Sequence, residues 1–271
     1  MSTLISEFRK IISTKFWWVL TLIVAGYVAM TDSILAFAAS MAETMGDMGT
    51  GQEVMMPQGE EFALFVYSSG ASLCYVFPAI LGALIVNSEF RYQTITPTFL
   101  AQPRRGRVLI AKLIVALPFA ALTGVVLVAT SIAAGGGVLA LTDQITGLEE
   151  PKVWEFFLRV VAAMTIWGLV GVGLGALIKN QIAAIVGLLG FTQFLEPILR
   201  LIPLFTGEDY QFLQYLPGAV NDAISGVSMY SVMMPSPSET LSLPIALAVL
   251  AGYALAFTIG GYFTTFRRDI S

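Results

Sequence analysis

Residues 87–112 decide how this chain is read. They run Asn87-Ser88-Glu89-Phe90-Arg91-Tyr92-Gln93-Thr94-Ile95, then Thr96-Pro97-Thr98-Phe99-Leu100-Ala101-Gln102-Pro103-Arg104-Arg105-Gly106-Arg107, with Lys112 a turn further on. Long apolar runs stand on both sides. Within the stretch, Glu89 to Leu100 has the make-up of one or two helical turns, with Phe90, Ile95, Phe99 and Leu100 as apolar contacts and Pro97 interrupting them. Residues 103–107 form a basic turn back toward the apolar region. A loop that only joined two membrane helices could be short and plain, whereas this one is patterned to meet a soluble partner beneath a membrane.

Working outward, the chain is 56% hydrophobic and only 12% charged, against about 25% charged in soluble domains. Such a chain cannot cover itself with a water-compatible surface, so lipid is its expected solvent. At 271 residues there is room for roughly six spans of about 20 residues. We expect an all-α polytopic membrane protein, a single transmembrane domain over 1–271, with spans at 16–39, 62–86, 108–141, 154–178, 182–204 and 241–266. The run 16–39 is longer than the 7–15 apolar residues of a signal peptide, so it is expected to be a retained first helix. Pro118 is a candidate kink and Gly135-Gly136-Gly137 a candidate break in the third span. Only Lys179, Asn180 and Gln181 separate the fourth span from the fifth, a tight hairpin.

Charge orients the spans. With the N-terminus in the cytoplasm, that side holds Arg9, Lys10, Lys15, Arg91, Arg104, Arg105, Arg107, Lys112, Lys179, Arg267 and Arg268 but only three acids, Glu7, Glu89 and Asp269. The other side carries Glu43, Asp47, Glu53, Glu60, Glu61, Asp143, Glu149, Glu150, Glu208, Asp209, Asp222 and Glu239. Positive charge gathers on the cytoplasmic side of membrane proteins, so both termini are expected there. Residues 2–14 place Leu4, Ile5, Phe8, Ile11 and Ile12 at helical spacing opposite Glu7, Arg9 and Lys10, the pattern of an amphipathic helix lying in the inner interface. Trp17 and Trp18 then sit at a membrane boundary. The outer segment 205–240 is too apolar for a solvated loop, and part of it is expected to re-enter the membrane as short helices covered by protein.

The segment Glu89-Phe90-Arg91-Tyr92-Gln93-Thr94-Ile95, the downstream Pro103-Arg104-Arg105 and Lys112 together resemble the loop of bacterial ABC-2 type transporter permeases. The family pattern is a Glu, a few residues, Gly-Thr-aliphatic, then Pro-x-Arg and a Lys opening the next span. Ser6-Glu7-Phe8-Arg9-Lys10 resembles the family's interfacial leader, and Leu216-Pro217-Gly218-Ala219 its outer segment between the fifth and sixth helices. Gln93 departs from the pattern, standing where the family usually has Gly. The resemblance implies that loop 87–107 is a coupling helix docking on a cytoplasmic ABC ATPase through Glu89, Phe90, Arg91, Thr94, Ile95, Phe99 and Leu100. Arg104, Arg105, Arg107 and Lys112 would form a basic turn on lipid headgroups. It also implies a second permease subunit, identical or paralogous, in the cytoplasmic membrane of a bacterium, and export of a drug, peptide, lipid or polysaccharide.

The chain has no G-x-x-x-x-G-K-[ST] phosphate loop, so ATP and Mg would be bound by the partner ATPase and no cofactor by this chain. Gly171, Gly173 and Gly175 lie in an apolar span without a βαβ unit; Gly171 and Gly175 have GxxxG spacing, which favours close helix packing. There is no histidine and a single cysteine, Cys74, which removes histidine-based catalysis and the usual zinc chemistry. Charges inside spans are costly and mark candidate function: Asp32, Gln193, Glu196 and Arg200 are candidates for a substrate path, with Glu196 and Arg200 spaced to pair on one helix face. No metal site and no nucleic-acid partner are expected. The competing readings are an ion-coupled secondary transporter, which would want an acid near the bilayer midplane, and a non-transporting sensor or immunity scaffold of the same fold.

Overall fold

The computed structural model describes residues 2–47, 59–206, 210–227 and 241–267. Among them every regular element is helical. Six helical runs are long and apolar enough to cross a membrane: Phe16–Ala38, Glu60–Arg91, Arg105–Leu141, Pro151–Leu177, Gln181–Pro203 and Leu243–Phe266. The chain is a multi-pass membrane protein. The second run differs most from expectation, since it continues to Arg91 and takes residues 87–91 out of the loop. The third starts at Arg105 and absorbs the end of the basic turn. Stretches 48–58, 207–209 and 228–240, with Arg268 and Asp269, lie outside the described residues.

We number the helices α1 (Ser2–Ser13), α2 (Phe16–Asp47), α3 (Glu60–Cys74), α4 (Val76–Arg91), α5 (Ile95–Ala101), α6 (Arg105–Ser131), α7 (Gly137–Leu141), α8 (Pro151–Leu177), α9 (Gln181–Leu189), α10 (Glu196–Thr206), α11 (Pro217–Ser225) and α12 (Leu243–Gly261). The second span is interrupted at Tyr75, where α3 gives way to α4. Pro78, four residues past Cys74, has no N–H to continue the helical ladder there. One turn before the interruption, the buried Asn221 of α11 donates to the Ala71 carbonyl at 3.1 Å and accepts from the Trp167 indole at 3.1 Å. The expected glycine break in the third span is instead a π-helical turn, Ile132–Gly136, that leaves the helix continuous to Leu141. Further π-helical turns occupy Gly190–Leu195 and Tyr262–Phe266.

Helix α8 is the hub, packed against α4, α6 and α12. Its glycines make this possible. A Cβ on Gly171 would stand 1.9 Å from the Ala79 carbonyl oxygen, and one on Gly175 2.7 Å from that of Ala83. From the other side, a Cβ on Gly82 would stand 2.1 Å from the Gly168 carbonyl oxygen. Gly173 lies as tightly on Phe257 and Thr258 of α12. The small-residue spacing therefore brings backbones together, the contact by which helices associate where lipid removes the hydrophobic drive. By contrast α2 buries only a stripe at Thr21, Val24, Val28, Asp32 and Ala36, while Leu22, Ile23, Met30, Ile34 and Phe37 face outward.

Gly171→Ala should force α4 from α8 and cost about 1–3 kcal/mol through overpacking. Gly252→Ala, where an added Cβ meets nothing within 4 Å, should be neutral. Thermal melts of the two variants in detergent check this.

Candidate functional site

Helix α4 ends in a left-handed cap. The N–H of Tyr92 donates to the Ser88 carbonyl and that of Thr94 to the Glu89 carbonyl, each at 2.9 Å. Gln93 between them has φ 57°, a conformation that glycine adopts without strain and other residues rarely. The one position that departs from the family pattern is thus one where the backbone itself favours glycine.

The turn delivers the short helix α5. Ile95 and Phe99, four residues apart, point inward and are buried with Ile11, Val108, Leu109 and Phe266. The Phe99 ring meets Phe266 edge-on at 5.5 Å. The Arg105 guanidinium lies over Phe99 at 5.1 Å and donates to the Phe266 carbonyl at 3.1 Å. Outward-facing are Arg91, Tyr92, Thr94, Thr96, Pro97 and Arg104, with Leu100 79% exposed; Phe90 is half-buried.

Beneath α5 lies a network of two cations and two anions from three elements, buried except at Lys10, which is partly exposed. The Lys112 ammonium of α6, fully buried, meets Glu7 Oε2 of α1 at 2.6 Å, Glu89 Oε1 of α4 at 2.9 Å and the Ile85 carbonyl at 3.3 Å. Lys10 of α1 bonds Glu7 Oε1 at 2.6 Å and Glu89 Oε1 at 2.5 Å, and donates to Thr98 Oγ1 of α5 at 3.2 Å. Gln102 adds a bond to Thr3 at 3.1 Å. Burial alone would push Glu7 up, but the charges and hydrogen bonds of Lys112 and Lys10 outweigh it and hold the carboxyl below its ordinary 4.5. Burial alone would pull Lys10 down, and its bonds to Glu7 and Glu89 outweigh that, holding it above its ordinary 10.5.

Four expectations change. Lys112 is not on a headgroup-facing turn, because it neutralises two buried carboxylates. Glu89 is inside this network, and Ile95 and Phe99 fill the core beneath α5, so none of the three lies on an outer docking surface. Of the basic turn, Arg104 and Arg107 are exposed, and Arg105 is held against Phe99 and Phe266. Helix α1 turns Glu7 and Ile11 into the protein and leaves Leu4, Ile5, Phe8 and Ile12 exposed. Beside the network opens a cleft of about 600 Å³, lined among others by Lys15, Phe16, Ser88, Tyr92 and Thr94.

The span charges fall into two separate places. Glu196 accepts from the N–H groups of Gly218 and Ala219, each at 2.9 Å, fastening the start of α11. Arg200 pairs with Glu196 at 3.1 Å, as their spacing predicts, and with Asp222 at 2.7 Å; Ser72 donates to Asp222 at 3.1 Å. Gln193 lines the same small polar cleft. Asp32 stands apart, fully buried, hydrogen-bonded by Ser69 and Ser131. Sequence reading missed Glu7, Lys10, Asp222, Ser69 and Ser131 as partners. One signal was present: Glu7 and Glu89 are acids on an otherwise basic side, and acids so placed ask for buried cations.

The cluster around α5 joins an exposed, partly basic surface to a charged network packed between helices. Compared with known proteins, the chain matches no family model and no curated protein.

Lys112→Met would leave Glu7 and Glu89 under-compensated and should cost about 3–5 kcal/mol, read as a lowered melting temperature; adding Glu7→Gln should restore part of the loss. The pH dependence follows from the two shifts. Glu7, lowered, adds stability that is complete above 4.5 and is lost as pH falls through its lowered value. Lys10, raised, adds stability that is complete below 10.5 and is lost as pH rises through its raised value. Helix α1 should therefore be held most firmly between these limits. Hydrogen exchange of its amides, corrected for intrinsic rate, should accelerate below pH 4.5 in the native chain and lose that step in Glu7→Gln.

Proposed function

We propose that this chain is the membrane-spanning permease subunit of an ATP-driven transporter of the ABC-2 type. In this reading it pairs with a second permease subunit, identical or paralogous, in a bacterial cytoplasmic membrane. Cytoplasmic ATPase chains bind the ATP and Mg, and this chain is not itself an enzyme. Both termini and α5 face the cytoplasm, following the charge distribution. The exposed Leu4, Ile5, Phe8 and Ile12 of α1 fit the inner lipid interface. Helix α11 is the re-entrant outer element, a placement supported by its bond to Ala71, well inside the second span.

One observation carries the reading. The end of α4 and helix α5 together present Arg91, Tyr92 and Leu100 outward, while the other face of α5 is tied to spans two, three and six and to α1. Pressure on the outer face would reach those helices through Ile95, Phe99 and the Glu7–Lys10–Glu89–Lys112 network. ATP binding would bias the spans only through a contact that differs between two states, and a rigid two-faced helix supplies it. Gln193, Glu196, Arg200 and Asp222 are the candidate outer lining of the substrate path, where two carboxylates against one guanidinium suit a cationic peptide or drug. The competing reading, an ion-coupled carrier, draws its support from Asp32.

Purification from native membranes in mild detergent should yield a stoichiometric P-loop ATPase. Arg91→Glu with Leu100→Asp should weaken that association about tenfold or more with the melting temperature unchanged. Phe99→Ala should instead lower the melting temperature, by about 3–5 kcal/mol of stability. Recovery of the chain alone in several gentle extractions, or a well-folded double variant that retains its ATPase, would overturn the reading.

A further inference from the structure

Among the described residues, Asp32 is the buried span charge that meets no opposite charge. It sits on the buried stripe of α2, with no solvent exposure. Ser69 of α3 donates to Oδ1, and Ser131, the last residue of α6, donates to Oδ2. Three spans therefore converge on one carboxyl group. A Cβ on Gly135, in the π-helical turn that follows Ser131, would stand 3.1 Å from Asp32 Cβ, so the third span packs closely on the aspartate. The titratable groups facing it are Tyr67 and Cys74 of α3, and neither brings a positive charge. The third span carries its cations at the opposite end: Lys112 precedes Ser131 by roughly 28 Å at about 1.5 Å per residue. Among the described residues no lysine or arginine pairs with Asp32, and the outer stretches 48–58 and 228–240 contain neither residue in their sequence.

A carboxylate in such surroundings is expensive. Two hydroxyl donors soften the charge and do not cancel it. A single carboxylate balances a single positive charge, and the donor set is all oxygen. We propose that Asp32, Ser69 and Ser131 form a monovalent-cation site, filled by a proton or a sodium ion, that holds spans one, two and three together. With the cation lost, the charge must be met by water, which requires the outer half of span one to separate from its neighbours. Opening of the outer half is thereby linked to cation release. The proposal is independent of the ATPase docking reading, which concerns the other end of the molecule.

The test uses the full chain in lipid nanodiscs and two readouts. The first is the infrared difference between wild type and Asp32→Asn at neutral pH in sodium-free choline chloride, where a protonated-carboxyl band unique to wild type assigns the proton. The second is the melting temperature in sodium chloride against choline chloride at equal concentration. With no band, a sodium-dependent rise in wild type that Asp32→Asn lacks assigns sodium. Absence of the band together with equal melting temperatures in the two salts would overturn the proposal, for Asp32 would then be a bare carboxylate. Should Asp32→Asn fail to fold, Ser131→Ala serves instead: losing one hydroxyl partner must shift the Asp32 band, or lower the sodium-dependent rise. A band or rise unmoved by Ser131→Ala would likewise count against the site.

Discussion

Backbone contact between α4 and α8 is the constraint on which the remaining architecture depends. Gly82, Gly171 and Gly175 let main chains meet where any side chain would hold them apart. Lipid gives helices no hydrophobic reason to associate, so close dispersion contact must do it. Because α4 is fixed this way, Glu89 near its end has a defined position, and Asn87 two residues earlier is wholly buried with its amide 2.6 Å from the Gly175 carbonyl when oriented to donate. The Glu7–Lys10–Glu89–Lys112 network is thus built on a helix held in register by main-chain contact.

That network is balanced rather than strong. Two carboxylates and two ammonium groups cancel, and desolvation opposes every contact among them. Burying ion pairs seldom adds much net stability, whereas removing one partner is severe. What the network supplies is specificity: α1 has little apolar surface turned inward, and Glu7 and Lys10 determine where it docks. The Glu196–Arg200–Asp222 cluster follows the same logic with a different acceptor set. There Glu196 uses the amide groups at the start of α11 as well as Arg200, so a polar helix end replaces one cation.

Much of the fold was legible in the sequence. The six spans were visible because lipid imposes length and apolarity on each. The Gly171–Gly175 spacing announced its own packing, and Glu196 found Arg200 because four residues return to the same helix face. The site was less legible. Ile95, Phe99 and Leu100 look alike in sequence, yet only Leu100 faces outward, since which face of a seven-residue helix is buried depends on Phe266, far along the chain. Lys112 was read by its neighbours Arg104 to Arg107, and its true partners are 105 and 23 residues away in sequence. Asp32 gave no hint of Ser69 and Ser131, because serines inside apolar runs are commonplace and only tertiary packing selects these two.

The π-helical turns have a consequence for how spans of this kind can change length. Each carries a wider loop of backbone than the α-helix it adjoins. In a regular helix one residue turns the chain by about 100°, so a deletion within the regular turns of Gln181–Leu189 would swing everything beyond it by more than a quarter-circle and carry Glu196 and Arg200 away from α11. A deletion within Gly190–Leu195 is different: its wider loop holds one residue more than an α-helical turn, so losing one restores the regular helix and leaves Glu196 and Arg200 on the face they hold now. The π-helical turn is therefore the place where the fifth span can gain or lose a residue without re-aiming what lies beyond it.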